Sequence, residues 1–312
     1  MTHTTPVRTS RSLTLWFAIS MSGLLAGPSF AQDAIEVIKC DKFRGQSLPE
    51  HEQAAEPSIR IADNDDLILP DGSLLGLGDI HFADHMPGLP DTLRQSLRSA
   101  RQQIQVSIMA RKSLIACALS TGNEGAERDR YNRLIGDAVG LSEGFSLRRH
   151  LISQGLALVR PYPSSNDCCA RLYRAEARAR TLGKGVWASA APLIRKTNAR
   201  SGTVALPQSD FTIVEGRVRS VGDRERDIYL NFGNVWASDF TVTINRKAFS
   251  GTGAEMEELT ALAGRRIRVR GIADAWYGGR IEVTDFRQIE ILTAPKKPVR
   301  SPLPANNHNT NP

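Results

Sequence analysis

The chain has 312 residues, 40 basic against 33 acidic, and a formal net charge of +7. That length accommodates two domains of ordinary size, and the surplus is too mild to name a polyanionic partner without knowing where it sits. Beyond the first thirty-one residues nothing approaches the roughly 20 apolar residues of a membrane-spanning helix, which excludes a stable span.

MTHTTPVRTSRSLTLWFAISMSGLLAGPSFA opens the chain with Arg8 and Arg11, an apolar run from Leu13 to Gly27 and a Ser-Phe-Ala end. This is the pattern of a secretory signal peptide cleaved after Ala31 (residues 1–31), so a periplasmic or secreted protein is expected. Cleavage leaves 281 of the 312 residues and a net charge of +5, because the signal holds two arginines and no acid. Residues 32–57 are polar and form an N-terminal arm with Cys40 as its anchor. Cys40, Cys117, Cys168 and Cys169 all fall in the exported part. An oxidising compartment and an even count favour disulfides. Helical neighbours point about 100° apart, so Cys168 and Cys169 reach different partners; the expected pairs are Cys117 with Cys168 and Cys40 with Cys169, the alternative being reduced, buried thiols.

From Ser58, SIRIADNDDLILPDGSLLGLGD alternates apolar and polar residues around an acidic turn and a Pro-Asp-Gly turn, which predicts short antiparallel strands. Apolar residues at 93, 97, 100, 104 and 108 predict a helix over residues 93–109. A short helix is expected over 146–154, ended by Gly155, and a charged one over 168–182, stopped at Gly183. In the latter Leu172, Ala175, Ala179 and Leu182 share a docking face, while Arg171, Arg174, Arg178 and Arg180 stay in water. Trp187 is expected to plug the base of a barrel. Residues 189–208, with two prolines, a glycine and no period, read as a linker. Residues 209–293 are short β-rich segments at the spacing of a small barrel or sandwich. Residues 294–312 cannot bury enough apolar surface to offset their ordering entropy and form a disordered tail.

DRYNR (residues 129–133), LRRHLISQGLALV (147–159) and LYRAEARARTLGKGVW (172–187) come in the order and spacing of the thermonuclease family. Residues 58–188 thus resemble a staphylococcal-nuclease-like domain. The resemblance implies a five-stranded β-barrel of the OB type with three helices, so the whole chain is expected to be α+β followed by an all-β accessory barrel.

It also implies calcium-dependent phosphodiester hydrolysis, in which carboxylates hold a hard cation, two arginines neutralise the phosphate and a glutamate positions water. Carried over, the calcium aspartates fall on Asp65, in IADNDD, and Asp79, at the end of the 74–82 strand pattern. One phosphate arginine falls on Arg133, with Asn132 where the family has a left-handed glycine. The other falls on Leu74, and the water-positioning glutamate on Phe82. Two of the five groups are therefore missing; Asp84, reached by a register shift, is the candidate substitute acid. In an extended segment Asp79 and His81 share a face, and with Asp84 or His85 they offer a transition-metal set as an alternative to calcium.

In the second block, Arg266, Arg268 and Arg270 alternate with Ile267 and Val269 and precede Trp276 and Tyr277. Arginines tracking phosphate beside stacking rings make a platform for single-stranded nucleic acid; an exposed barrel face with core aromatics is the alternative. The expected function is an exported thermonuclease-like protein that binds nucleic acid or a divalent cation, with weak or lost nuclease activity. The alternatives are an active calcium-dependent phosphodiesterase and an envelope protein-interaction module.

Overall fold

The computed structural model describes residues 59–62, 64–69, 71–110, 114–118, 128–140, 145–161, 168–246 and 256–292. The expected signal peptide, N-terminal arm with Cys40, and C-terminal tail lie outside the described residues.

The first domain starts with a meander of β1 (Arg60–Ile61), β2 (Leu67–Ile68) and β3 (Leu74–Leu77). The turns are local: Ala62 and Asp66 close the first, and Asp71 accepts from the Ser73 amide at 2.8 Å in the second. β3 runs parallel to β6 (Leu134–Gly140), which pairs antiparallel with β5 (Leu114–Ala118) and with β7 (Phe145–Ser146). The resulting order β1-β2-β3-β6-β5 is a mixed sheet that curls into a half-barrel. A separate ribbon joins β4 (Ile80–Phe82) to β8 (Ala157–Val159).

Three helices pack on this sheet. α1 (Asp91–Met109) buries Leu97 and Ile108, with Leu93, Ala100 and Ile104 half covered, as its 3.6-residue pattern requires. α2 (Leu147–Ser153) is capped by Ser146, whose hydroxyl accepts from the Arg149 amide at 3.2 Å. α3 (Cys168–Thr181) buries Leu172 and Ala179. Leu182, expected on that docking face, is 57% exposed, because the helix has already ended at Thr181.

The two glycine motifs meet in space. Gly155 (φ +68°) and Gly185 (φ +53°) lie back to back, and a Cβ on Gly155 would sit 2.0 Å from the Lys184 carbonyl oxygen. The Val186 amide donates to Gly155 O at 3.0 Å, which buries Val186 and leaves Trp187 half-buried against the core.

In the second domain β10 (Phe211–Arg217) leads almost directly into β11 (Ser220–Asp223), a hairpin partner of β12 (Asp227–Asn231), which pairs with β13 (Thr241–Asn245). A short helix, α4 (Met256–Thr260), precedes β14 (Arg266–Asp274) and β15 (Arg280–Val283). β15 lies parallel to β13 and antiparallel to β14, which returns to β10. Counting β10 and β11 as one bent strand, the order 1-2-3-5-4-1 closes on itself, an OB-type topology with its helix between strands 3 and 4. β16 (Ile289–Leu292) adds to the start of β14.

The stretch read as a linker is partly structured. Ile194–Lys196 forms β9, parallel to β10, because Leu193 and Ile194 supply apolar side chains where the two domains meet. One core contains the first domain together with Phe211 and Ile213, and a second fills the closed barrel. Among the described residues no helix is long and apolar enough to cross a membrane.

No disulfide is present among the described residues: Cys169 is a free, buried thiol there, and Cys40, its expected partner, lies outside them. Its sulfur lies 3.7 Å from Arg287 Nη1 in a water-poor setting, and burial pushes the thiol up to about 12. Cys117 is buried in β5, and the side chain of Cys168, its expected partner, lies outside the described residues.

Candidate active site

The two aspartates expected to hold calcium sit in turns just before β2 and just after β3, at the same end of that antiparallel pair. Both adopt the left-handed backbone that side chains other than glycine rarely take, Asp65 at φ 69° and Asp79 at φ 56°. Asn132 does the same at φ 60°, as expected for an asparagine in a glycine position.

Each aspartate is engaged by an arginine. Arg101 of α1, fully buried, places Nη1 2.6 Å from Asp65 Oδ1. The same guanidinium donates to Asp84 through Nε at 3.2 Å and Nη2 at 3.0 Å. Arg148 of α2, also fully buried, donates from Nη1 to Asp79 Oδ2 at 2.8 Å and sets Nε 3.1 Å from Asp137 Oδ2. The Arg148 amide donates to Asp137 Oδ1 at 3.1 Å.

Arg133, at the surviving arginine position, donates to Asp66 at 2.8 Å and to Asp129 at 2.7 Å, and lies 5.5 Å above the Tyr131 ring. Hydrogen bonds that it donates to Asp129, opposed by partial burial, push the Arg133 guanidinium above its ordinary value. It is 28% exposed, the accessible guanidinium of the three. Leu74 edges a shallow depression shared with Arg128, Tyr131 and Asn132.

Phe82, in the glutamate position, lies under the Arg101 guanidinium with Cζ 4.1 Å from its ring centroid. Asp84 does not replace the missing acid. It is buried in the turn after β4, gripped by Arg101 and Arg98. Burial opposes its ionisation, but the hydrogen bonds and charge of Arg101 win and hold the carboxyl below the usual range. A buried carboxylate neutralised by two arginines is a poor base for orienting water.

Nor do the histidines form a metal centre. Asp79 leaves the extended region, which breaks the alternation that would align it with His81. His81 stacks instead on Phe211 of the second domain at 4.5 Å, and among the described residues no three His, Cys, Asp or Glu side chains could hold an ion together. The set does not fit calcium either. Calcium takes 6–8 oxygens, whereas the two carboxylates carried over from the family are each already neutralised by a buried, fixed cation. The signal for this was legible: Arg101 interrupts the apolar stripe of Leu97, Ile104 and Ile108, and Arg148 sits between Leu147 and Leu151. An arginine in a buried stripe requires a buried acid.

The expected arginine stripe of the second domain is corrected. Arg266 is exposed but paired to Glu215. Arg268 is buried between Glu215 and Glu290, at 2.6 and 2.9 Å. These are its cross-strand partners on β10 and β16. Arg270 is fully buried against α3, donating to Glu176 at 2.8 Å and to the Val159 carbonyl at 2.9 Å. The stripe therefore runs from solvent at Arg266 to the first domain at Arg270.

Trp276 and Tyr277 are exposed, and Trp236 from the β12–β13 loop joins them. Trp236 and Tyr277 lie edge to face at 4.6 Å, Tyr277 and Trp276 at 4.8 Å. Arg280 caps Trp276 at 5.0 Å while paired to Asp274 at 2.6 Å. The two loops dock backbone to backbone, since a Cβ on Gly278 would lie 2.1 Å from the Ser238 carbonyl carbon. Tyr277 takes φ 51°, a strained value for a tyrosine.

Residues 98–189 match the family described as Staphylococcal nuclease homologue. The match takes in α1 from Arg98, α2, α3 and the Gly155–Gly185 contact, together with Arg101, Arg133 and Arg148; it begins after Asp65, Leu74, Asp79 and Phe82. No curated protein matches the chain. Over residues 98–189 the chain is thus thermonuclease-like, similar to the staphylococcal-nuclease family.

Proposed function

We propose that this is an exported nucleic-acid-binding protein built on the nuclease fold, in which metal-dependent phosphodiester cleavage is weak or lost. The observation that carries the reading is the pairing of Asp65 with Arg101 and of Asp79 with Arg148. The family in general depends on calcium, and a cation entering here would have to displace two buried guanidiniums from their carboxylates. Leu74 and Phe82 supply no phosphate donor and no water-positioning acid. Groups of these kinds are each worth roughly 10² to 10⁴ in rate.

Nucleic acid is the partner that the fold favours. In the second domain the exposed Trp236, Tyr277 and Trp276, with Arg280 beside them, offer stacking faces to unpaired bases. Export is the reading of the N-terminal sequence.

The test is cleavage of single-stranded DNA across calcium, magnesium and manganese, with binding followed in parallel. Binding that falls steeply with salt, with no turnover, is the expected result. Efficient calcium-dependent cleavage that Asp79→Ala abolishes would overturn the reading in favour of an active nuclease. Absence of any oligonucleotide affinity at low salt would overturn it in favour of a protein-interaction module.

A further inference from the structure

The outer surfaces of α2 and α3 enclose a cleft of about 480 Å³ that lies apart from the family's catalytic positions. Arg174 and Arg178, four residues apart, face it from α3; Arg149 faces it from α2, and Lys184 from the turn held by the two glycines. None of the described residues lining it is an acid. Arg178 and Lys184 take no part in ion pairs among the described residues, and Arg174 Nε donates to the Ala170 carbonyl of its own helix.

The walls between these cations are apolar. Phe145 and His150 lie 5.5 Å apart with their rings tilted by 45°, and Leu182 stands exposed at the rim. Three or four like charges round one hollow repel each other and concentrate anions. Guanidinium forks suit phosphate oxygens, and an ammonium adds a point charge. A volume near 480 Å³ is within the range of small-ligand sites, roughly 300–1,000 Å³, and the rings give a base or sugar an apolar surface.

We infer that this cleft binds a nucleotide unit, with its phosphate on Arg174, Arg178 and Lys184 and its apolar part against Phe145 and His150. A free mononucleotide and one unit of a single strand carry the same chemistry. The inference rests on the nucleic-acid reading only for the choice of ligand, and it concerns a surface distinct from the aromatic loops of the second domain.

The test uses the full exported chain in metal-free buffer, so that cleavage plays no part. Thymidine monophosphate, inorganic phosphate and a labelled single-stranded oligonucleotide are titrated against wild type, Arg174→Glu/Arg178→Glu and Trp236→Ala. The two arginines are exposed, so the charge reversal leaves the fold intact, which a melting curve checks. The expected result is at least a tenfold loss of mononucleotide or strand affinity in the charge-reversed variant, with Trp236→Ala measuring what the aromatic loops contribute. Removing two phosphate contacts should also flatten the salt dependence of strand binding by about 1.4 in the log–log slope.

Binding of the strand alone, lost on charge reversal, supports the inference with the strand as source; binding of mononucleotide as well supports the free ligand. Equal affinity of wild type and the charge-reversed variant for every probe overturns it. So does phosphate binding as tightly as the mononucleotide, because the apolar walls would then contribute nothing. Loss of strand binding in Trp236→Ala with cleft binding intact bears on the aromatic loops and leaves the cleft standing.

Discussion

Arg148 meets Asp79 at 2.8 Å with both side chains closed to solvent. A buried charge is tolerable only when paired and hydrogen-bonded, and here the partner is covalently attached to the fold, where the wider family has calcium. Calcium at millimolar concentration is therefore expected to leave the melting temperature of the wild type unchanged, since a ligand that the native state does not bind cannot stabilise it. Arg148→Ala should destabilise by about 3–5 kcal/mol by stranding Asp79 and Asp137. A calcium-dependent rise in wild-type Tm that Asp79→Ala removes would show that the guanidinium yields to the metal.

A second buried pair joins the domains. Glu176 on α3 accepts from Arg270 on β14 and from the Val159 amide, and Tyr173, from the same helix, lies under the Arg270 guanidinium and donates to the Arg287 carbonyl. Burial works against the charge on Arg270, but Glu176 holds it well above the ordinary range. Glu176→Ala should cost about 3–5 kcal/mol, whereas the double replacement Glu176→Leu/Arg270→Met should cost much less, because no charge is left unpaired. Urea unfolding of both variants decides the point; equal losses would mean that the pair does not bind the two domains.

His81 lies at the same junction, stacked on Phe211 with Nε2 buried and lacking a hydrogen-bond partner. Burial, helped by the charges of Arg160 and His85 and opposed by Asp84, lowers its imidazole from 6.5 to about 4. The unfolded chain thus binds a proton that the folded chain refuses between pH 6.5 and 4, so this contribution is whole above pH 6.5 and shrinks as pH falls. The loss reaches at most about 3 kcal/mol by pH 4. In His81→Phe that part of the acid sensitivity should vanish, measured as the difference in unfolding free energy between pH 7 and pH 4.5. An unchanged difference would assign the sensitivity to other groups.

What the sequence disclosed and what it hid divide along physical lines. Periodicity gave α1, α2 and α3 nearly to the residue, because helical burial depends on local spacing. The pairing of arginines with acids was partly concealed, since Asp65 and Arg101 are far apart in sequence and only the topology joins them. Alternation misled at Arg266, Arg268 and Arg270: a period of two says which residues share a face, and here acids of neighbouring strands take up Arg266 and Arg268 while α3 covers Arg270. It misled again at Asp79, where one left-handed residue turned the segment. Trp236 escaped notice because its ring partners, Trp276 and Tyr277, lie on a different loop.

The Gly155–Gly185 contact allows a controlled comparison of the two reasons for a glycine. Gly155 and Gly183 both adopt positive φ, +68° and +61°, but a Cβ on Gly183 meets nothing within 4 Å while one on Gly155 meets backbone at 2.0 Å. Gly183→Ala should therefore lose only the left-handed penalty, about 1–2 kcal/mol. Gly155→Ala carries the same penalty and must also separate the α2 terminus from the Lys184 carbonyl, breaking the hydrogen bond that the Val186 amide donates to Gly155 O and uncovering Val186. Overpacking of this kind adds about 1–3 kcal/mol, so Gly155→Ala should lose about 2–5 kcal/mol and shift its urea midpoint well below that of Gly183→Ala. Coincident midpoints would mean that backbone conformation alone, and not the close approach of the two turns, dictates glycine at residue 155.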